Sequence, residues 1–454
     1  MSDKKPKLFI HGCYIGTTGF NNHTRDFFRE ISKSYKVKVR NFTVGKHWKG
    51  LEDEPFNKED YLLPSDKILL DTQTYFGENH SLHNFPIYKN HTNIFNHDLN
   101  IILAEVNHHF FYQDYEGPKI GYTVWETTRY PDYFFDKLKE YDQLWVPSEW
   151  QKQCNIEQGM SEDMIKVIPE AVDSKTFHPN PEANLPEYKD DRFKFIHFGR
   201  WDYRKSTKEI IEAFLEEFGE DEPIDLVLSI DNRFAKDGLK NTEKRLEHYG
   251  ISDPRLKVKH FPSREDYVQY LQKGHVFLSC ARSEGWNLPL IEAMACGTPS
   301  IYSNCSAQLQ FAKGKGLPVK ITGKKPAIMG EYSTYSQSDM TGEFYTPDYE
   351  DLKIVMRDAY ENYDKHKKQA LKESKEIRDK FTWERAAELA SIEIDNLYSN
   401  IPKNRVEISF NEGPKVQTYG SRNQEYFVEF IDARDNKVIH SSTIKNNMWT
   451  VCSK

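Results

Sequence analysis

The sequence predicts an α/β chain built from two consecutive doubly wound units, each a parallel sheet covered on both faces, followed by a small β-rich appendage. Three observations carry this. Short runs that are apolar throughout recur between helix-like segments, the pattern of parallel strands buried on both faces. A break from His178 to Pro186 holds three prolines in nine residues and separates two such series of similar size. The 454 residues also exceed one core, at a prior of about 150 residues per domain.

In the first unit, Lys7 to Cys13 reads as a buried strand ending at a glycine-bearing loop, Tyr14 to Gly19. Thr24 to Ser34 carries Phe27, Phe28 and Ile31 at helical spacing. Further strands are expected at Tyr35–Asn41, Lys67–Asp71, Asn100–Ala104, Lys119–Val124, Gln143–Val146 and Met164–Ile168. From His47 to Asn100 the chain is rich in Asn, His and Asp, which predicts long surface loops. The second unit has strand candidates at Phe193–Phe198, Asp225–Ser229, Leu256–Phe261, His275–Ser279 and Thr298–Tyr302. Helices are expected between them at Thr207–Phe218, Asn241–Tyr249 and Arg264–Lys273. From Glu350 the pattern is helical to about Tyr398, with Pro402 as the break. Val406–Phe410, Tyr426–Ile431 and Lys437–His440 then alternate, with Glu412-Gly413-Pro414 and Asp435-Asn436 as turn signals. The expected domains are 1–178, a linker 179–192, 193–380, a helix 381–400 and the appendage 404–454.

Composition narrows the function. Lys plus Arg is 62 and Asp plus Glu 70, a net charge of -8, which disfavours nucleic acid as a partner. Mean hydropathy is -0.77, and no apolar run approaches the roughly 20 residues of a membrane-spanning helix. Met1 to Pro6 leads into a short strand-like stretch without the features of a signal peptide. Six cysteines lie scattered without a C-x-x-C pair, the pattern of free thiols in a reducing compartment. A cytoplasmic location is the expectation.

The most informative segment runs from Ser283 to Pro299. Pro289 suits the first turn of a helix and Gly297 the position just past its end. The N–H groups near Asn287 and Leu288 then lie at a helix N-terminus, a seat for phosphate. Glu284 precedes this helix and Glu292 lies inside it, at most ~12 Å apart if the stretch is helical. One carboxylate can reach hydroxyls at each end of a sugar diphosphate resting between them. Upstream, Arg200 and Lys205 leave the end of another strand together in Phe198-Gly-Arg-Trp-Asp-Tyr-Arg-Lys-Ser206. Arginine offers a planar fork and lysine a point charge to a diphosphate. Taken singly, these residues would read as solvated surface charges; together they read as a site.

The two strings resemble the donor site of retaining glycosyltransferases of family 4, which have the GT-B fold of two facing Rossmann-like domains. Gly16-Thr-Thr-Gly19, Asn22 to Phe27, Gly121 to Thr127, Val146 to Trp150, Val167 to Asp173 and Phe381 to Arg385 also fit. The resemblance implies that Arg200 and Lys205 bind the donor diphosphate, Glu292 the nucleotide ribose and Glu284 the donor sugar. Gly16 or Gly19 would let the first-domain backbone approach that sugar. Two departures stand out: many relatives have glycine where Asn287 stands, and a histidine near the strand end that here reads Trp125-Glu126. Glu126 therefore becomes the candidate facing the reacting sugar, with Trp125, His108 and His109 as acceptor-side candidates.

Departure of a nucleoside diphosphate builds negative charge on the leaving group and positive charge on the sugar, an oxocarbenium-like state. Preorganised cations and helix N–H groups answer the first of these. No Asp-x-Asp string stands at a strand end to hold a divalent metal, so a metal-independent reaction with no cofactor is expected. The expected activity is transfer of a sugar from a nucleotide-sugar donor to an acceptor hydroxyl on a saccharide, lipid or protein glycan. Two rivals share the sequence features: a transferase acting on DNA bases, and a non-catalytic sugar or nucleotide binder. The appendage, with Phe427, Phe430 and Trp449, is expected to pack on the body or to mediate self-association.

Overall fold

The computed structural model describes residues 5–14, 18–41, 97–106, 109, 117–183, 191–232, 235, 237–327, 342–400, 425–432 and 437–445. The first domain contains β1 (Lys7–Gly12), α1 (Gly19–Ile31), β2 (Lys36–Asn41), β3 (Leu99–Leu103), β4 (Lys119–Tyr122), α2 (Asp132–Leu138), β5 (Gln143–Val146), α3 (Glu149–Glu157) and β6 (Ile165–Val167). Its six strands form a parallel sheet in the order β2-β1-β3-β4-β5-β6. β3 and β5 are buried at every position, as strands covered on both faces must be.

The second domain alternates β7 (Phe193–Phe198), α4 (Thr207–Glu217), β8 (Ile224–Ser229), α5 (Thr242–His248), β9 (Leu256–Val258), α6 (Arg264–Lys273), β10 (Val276–Ser279), α7 (Leu288–Ala295), β11 (Ser300–Ser303), α8 (Leu309–Ala312) and β12 (Leu317–Val319). The parallel order β12-β11-β10-β7-β8-β9 reverses direction between β7 and β10. That reversal is the topological switch point, where ligands of doubly wound sheets bind beyond the carboxyl ends of the strands. The loops leaving β7 and β10 are those carrying Arg200, Lys205, Glu284 and Asn287.

Several expectations shift. The helix read at Thr24–Ser34 begins earlier, at Gly19. Thr18 accepts from the Asn21 backbone and Asn21 Oδ1 accepts from the Thr18 N–H at 2.9 Å, a reciprocal cap invisible to apolar spacing. The strand read to Phe261 stops at Val258. An antiparallel pair, β13 (Ile321–Pro326) and β14 (Glu343–Pro347), was not expected from the pattern. β13 is exposed from Thr322 to Pro326 and shows no apolar alternation. This pair spans to the first domain, where the Glu343 N–H donates to Thr128 Oγ1 at 2.9 Å and Trp150 Nε1 to the Tyr345 hydroxyl at 3.0 Å.

Three helices follow: α9 (Tyr349–Glu361), α10 (Tyr363–Lys380) and α11 (Trp383–Asn400). α11 lies on the first domain. Trp383 packs against His23 and Phe27 of α1, and the Tyr35 hydroxyl donates to Asp395 Oδ1 at 2.9 Å. Asn396–Lys454 is a separate unit, whose described strands β15 (Glu425–Asp432) and β16 (Lys437–Lys445) pair antiparallel with an irregularity between Phe430 and Ile431. The expected strands at Lys67–Asp71 and Val406–Phe410, the loops between His47 and His97, and Trp449 lie outside the described residues.

Candidate active site

The loop after β10 is set by its backbone. Asn287 holds φ +91°, the left-handed region, which Asn tolerates better than most residues. Its amide nitrogen donates to Ser279 Oγ and Gln308 Oε1, both at 2.8 Å. A glycine in this position would satisfy the same backbone demand, so the Asn287 departure keeps the conformation. α7 then starts with Pro289 in its first turn, and Gly297 follows it at φ +69°. Across the cleft, a Cβ placed on Gly19 would lie 3.4 Å from Leu288 Cδ1. The N-termini of α1 and α7 therefore face one another, two positive dipole ends converging on one space. Gly285 is tighter still. A Cβ there would collide with Val124 and come within 2.8 Å of the Trp125 carbonyl.

The charged groups sit around this point. Lys205 Nζ lies 2.5 Å from Glu284 Oε1. Arg204 Nη1 lies 2.8 Å from Glu284 Oε2, and its Nη2 lies 2.9 Å from Glu126 Oε1 of the first domain. Burial pushes the Glu284 carboxyl up, but Arg204 and Lys205 outweigh it and hold the group below the usual range. Glu126 goes the other way. Burial and the Glu284 charge raise it against the pull of Arg204. Arg200, past the end of β7, has its Nε 3.7 Å from Asp202 Oδ2. It also faces the first domain, since its charge draws down the Glu105 carboxyl that burial raises.

Glu292 is buried on α7 and accepts from the Tyr267 hydroxyl at 2.6 Å. Burial pushes it up to about 7, although the Tyr267 bond and Arg264 act in the opposite sense. Arg264 in turn reaches Asp26 of α1 at 3.6 Å. Among the described residues, Asp231, Glu243 and His260 form the one group with three ligand atoms inside 4.8 Å. It lies on the surface beyond β8 and β9.

Arg200, Lys205, Glu284, Glu126, Asn287, Leu288, Glu292 and Gly19 thus lie along the two facing sets of loops and helix ends. Gly16 and His108 fall outside the described residues. Two acceptor-side expectations are corrected. His109 is 1% exposed, with Nε2 on the Ala104 carbonyl at 3.2 Å and Nδ1 on the Tyr141 hydroxyl at 2.7 Å. Neither nitrogen is left for an acceptor. The Trp125 indole stacks on Tyr130 and donates to Thr127 Oγ1 and the Arg129 carbonyl, so it builds the core while its backbone touches Gly285. Arg204 and Tyr267 were missed. Arg204 stands beside Lys205 in the same string, but only the fold turns it towards Glu126. Tyr267 stands one helical turn beyond Arg264, and nothing in the sequence points it at Glu292.

Residues 183–315 match the family model described as glycosyl transferases group 1. That stretch is similar to group 1 glycosyl transferases. The matched residues include Arg200, Arg204, Lys205, Glu284 and Glu292. Relatives in sequence are "Putative glycosyltransferase ORF313" of Acidianus filamentous virus 1, 27% identical over 115 residues, and "Putative glycosyltransferase 48" of Sulfolobus islandicus filamentous virus, 34% identical over 76. The aligned parts are 23% and 17% of this chain, and the chain spans only 37% and 24% of those two relatives. In structure, the chain is similar to Anabaena HepE in complex with UDP and glucose, with TM-score 0.61 and 14% identity over 86% of this chain and 100% of that one. It is also similar to sucrose-phosphate synthase from Thermosynechococcus elongatus, with TM-score 0.60 and 15% identity over 87% and 100%. At such identity the likeness establishes the fold, GT-B, and the stretch matched by the group 1 model holds most of the second sheet.

Proposed function

We propose that the chain transfers a sugar from a nucleotide-sugar donor to an acceptor hydroxyl of a saccharide, lipid or protein glycan. The transfer proceeds with retention and without a metal, as in glycosyltransferases of family 4. The observation that carries the reading is the meeting of Arg200, Lys205, Glu284 and the α7 N-terminus at the switch point of the second sheet, inside the residues matched by the group 1 model. In this reading the diphosphate lies against Arg200, Lys205 and the first-turn N–H groups of α7, which lack acceptors within the helix. Lys205 turns from Glu284 to the phosphates, and Glu284 meets the sugar hydroxyls. Glu292 accepts from the ribose. Charge building on the leaving group then meets cations already in place. The acceptor hydroxyl attacks the face the leaving group departs from, which preserves the anomeric configuration. The enzyme works in the cytoplasm, and the appendage serves acceptor recognition or self-association.

The test is release of nucleoside diphosphate from a panel of UDP-, GDP-, ADP- and dTDP-sugars, begun with UDP-glucose and repeated in excess chelator. Release with at least one donor, surviving the chelator, is expected. Saturable binding without release from any donor would leave a non-catalytic binder. Loss in chelator restored by Mg²⁺ or Mn²⁺ would overturn the metal-free reaction, and an inverted anomer in the product would overturn retention.

A further inference from the structure

We propose that Arg204 is a positioning residue tying Glu126 of the first domain to Glu284 of the second, so that closing the cleft and setting the sugar-facing carboxylate are one event. The role given to Glu284 rests on the glycosyltransferase reading; the tie itself does not.

The guanidinium is fixed from its own domain. Nη1 donates to the Ser283 carbonyl as well as to Glu284, both at 2.8 Å, and the Arg204 carbonyl accepts from the Arg282 N–H at 2.7 Å. Nη2 is left to reach across to Glu126 at 2.9 Å, and the Arg204 side chain is only 3% exposed. Two facts argue that this arrangement is geometric in purpose. A buried ionic cluster is a poor source of stability, since apolar side chains of like volume do as well or better. The loop it holds, Ser283 to Asn287, is also the one seated on Val124 and Trp125, where Gly285 has no room for a Cβ.

Charge accounting gives the tie its function. Without donor, Glu284 is met by both Arg204 and Lys205. A bound diphosphate draws Lys205 away, and Arg204 alone then keeps Glu284 ionised and in place. The planar fork presents Nη1 to Glu284 and Nη2 to Glu126 in one fixed geometry, which a lysine's point charge on a flexible stem does not impose.

The experiment uses the full chain, with Arg204→Lys, Arg204→Met and Glu126→Gln. Solution scattering without ligand reads the cleft, and UDP titration reads the donor half-site. Arg204→Met and Glu126→Gln should each raise the radius of gyration, and the double variant should raise it no further, because both cut one link. UDP affinity should stay within about twofold of wild type in all of them, which also shows the second domain folded. Turnover of whichever sugar nucleotide the wild type uses should fall about 10²-fold in Arg204→Lys, the scale of a misplacement of about 1 Å. In Arg204→Met the acid limb should also move to higher pH. Glu126 faces Arg204, Glu284, Arg200 and Lys205, and loss of a cation raises a carboxyl. An unchanged radius of gyration in Arg204→Met and Glu126→Gln overturns the tie. UDP affinity falling as far as turnover also overturns it, by making Arg204 a phosphate ligand. If the wild type turns over no donor, the glycosyltransferase reading falls, and scattering alone still decides the tie.

Discussion

Lys205 and Arg200 stand in different electrostatic settings. Lys205 Nζ is held 2.5 Å from a Glu284 oxygen, and Arg200 Nε lies 3.7 Å from Asp202 Oδ2. In the proposed reaction both meet the leaving diphosphate. Arg200→Ala and Lys205→Ala should each lower turnover about 10²–10³-fold, the scale of losing one donor aimed at developing negative charge. Circular dichroism should match wild type, and a variant with normal turnover would exclude that residue from the site. Lys205→Ala has a second consequence. It removes a cation that holds the Glu284 carboxyl down, leaving Arg204 as its counter-charge. Glu292 gives a pH prediction. With its carboxyl pushed up to about 7 by burial, it is largely protonated below that pH and ionised above it. Ribose hydroxyls donate more strongly to the ionised form, so UDP affinity should fall as pH drops through about 7. The diphosphate titrates nearby as well. The diagnostic quantity is therefore the difference between wild type and Glu292→Gln, which calorimetry across pH 6–8.5 reads. Parallel curves would exclude Glu292 from the ribose contact. For stability the sign reverses. A carboxyl raised in the fold is destabilising when ionised, and that penalty is relieved as pH falls from about 7 towards the unfolded value near 4.5.

At the scale of the element, α7 is positioned by what precedes it. Asn287 supplies a left-handed residue and two amide hydrogen bonds, to Ser279 and Gln308. Asn287→Gly keeps the backbone freely but loses both bonds, each worth about 0.5–1.5 kcal/mol net. Asn287→Val loses them and adds strain of order 1–3 kcal/mol from a β-branched residue at positive φ. Urea midpoints should therefore fall in the order wild type, Asn287→Gly, Asn287→Val. Equal midpoints for the two variants would show that the left-handed conformation adds no strain. The same element shows why α7 could be read from sequence while other pieces could not. Pro289 and Gly297 punctuate a helix by local rules, and Ser283 to Pro299 contains both. β13 and β14 have no such signal. The pair is exposed over most of β13, and it is placed by Thr128 and Trp150 of the other domain.

For the whole molecule, the separate unit Asn396–Lys454 sets the last prediction. Its described strands form one antiparallel pair, and two strands alone are marginal in water. If this unit serves acceptor recognition or assembly, removing everything after Asn404 should leave slow donor hydrolysis within about twofold. Transfer to the true acceptor, or the oligomeric state by sedimentation, should change. Loss of donor binding on truncation would instead make the unit a stabilising cap. The sequence by itself determined the two parallel-sheet domains, because strands buried on both faces must be apolar throughout. It also marked the loops after β7 and β10 and the start of α7, because helix caps, glycines and strand ends obey local rules. It could not settle the acceptor side. His109 and Trp125 are ordinary candidates in a string of letters, and their ring N–H groups are consumed by Ala104, Thr127 and Arg129. Nor could it find Arg204. Its partners, Glu126 and Glu284, lie 78 and 80 positions away on opposite sides of the cleft, and contact between charges so distant along the chain is decided by domain packing alone.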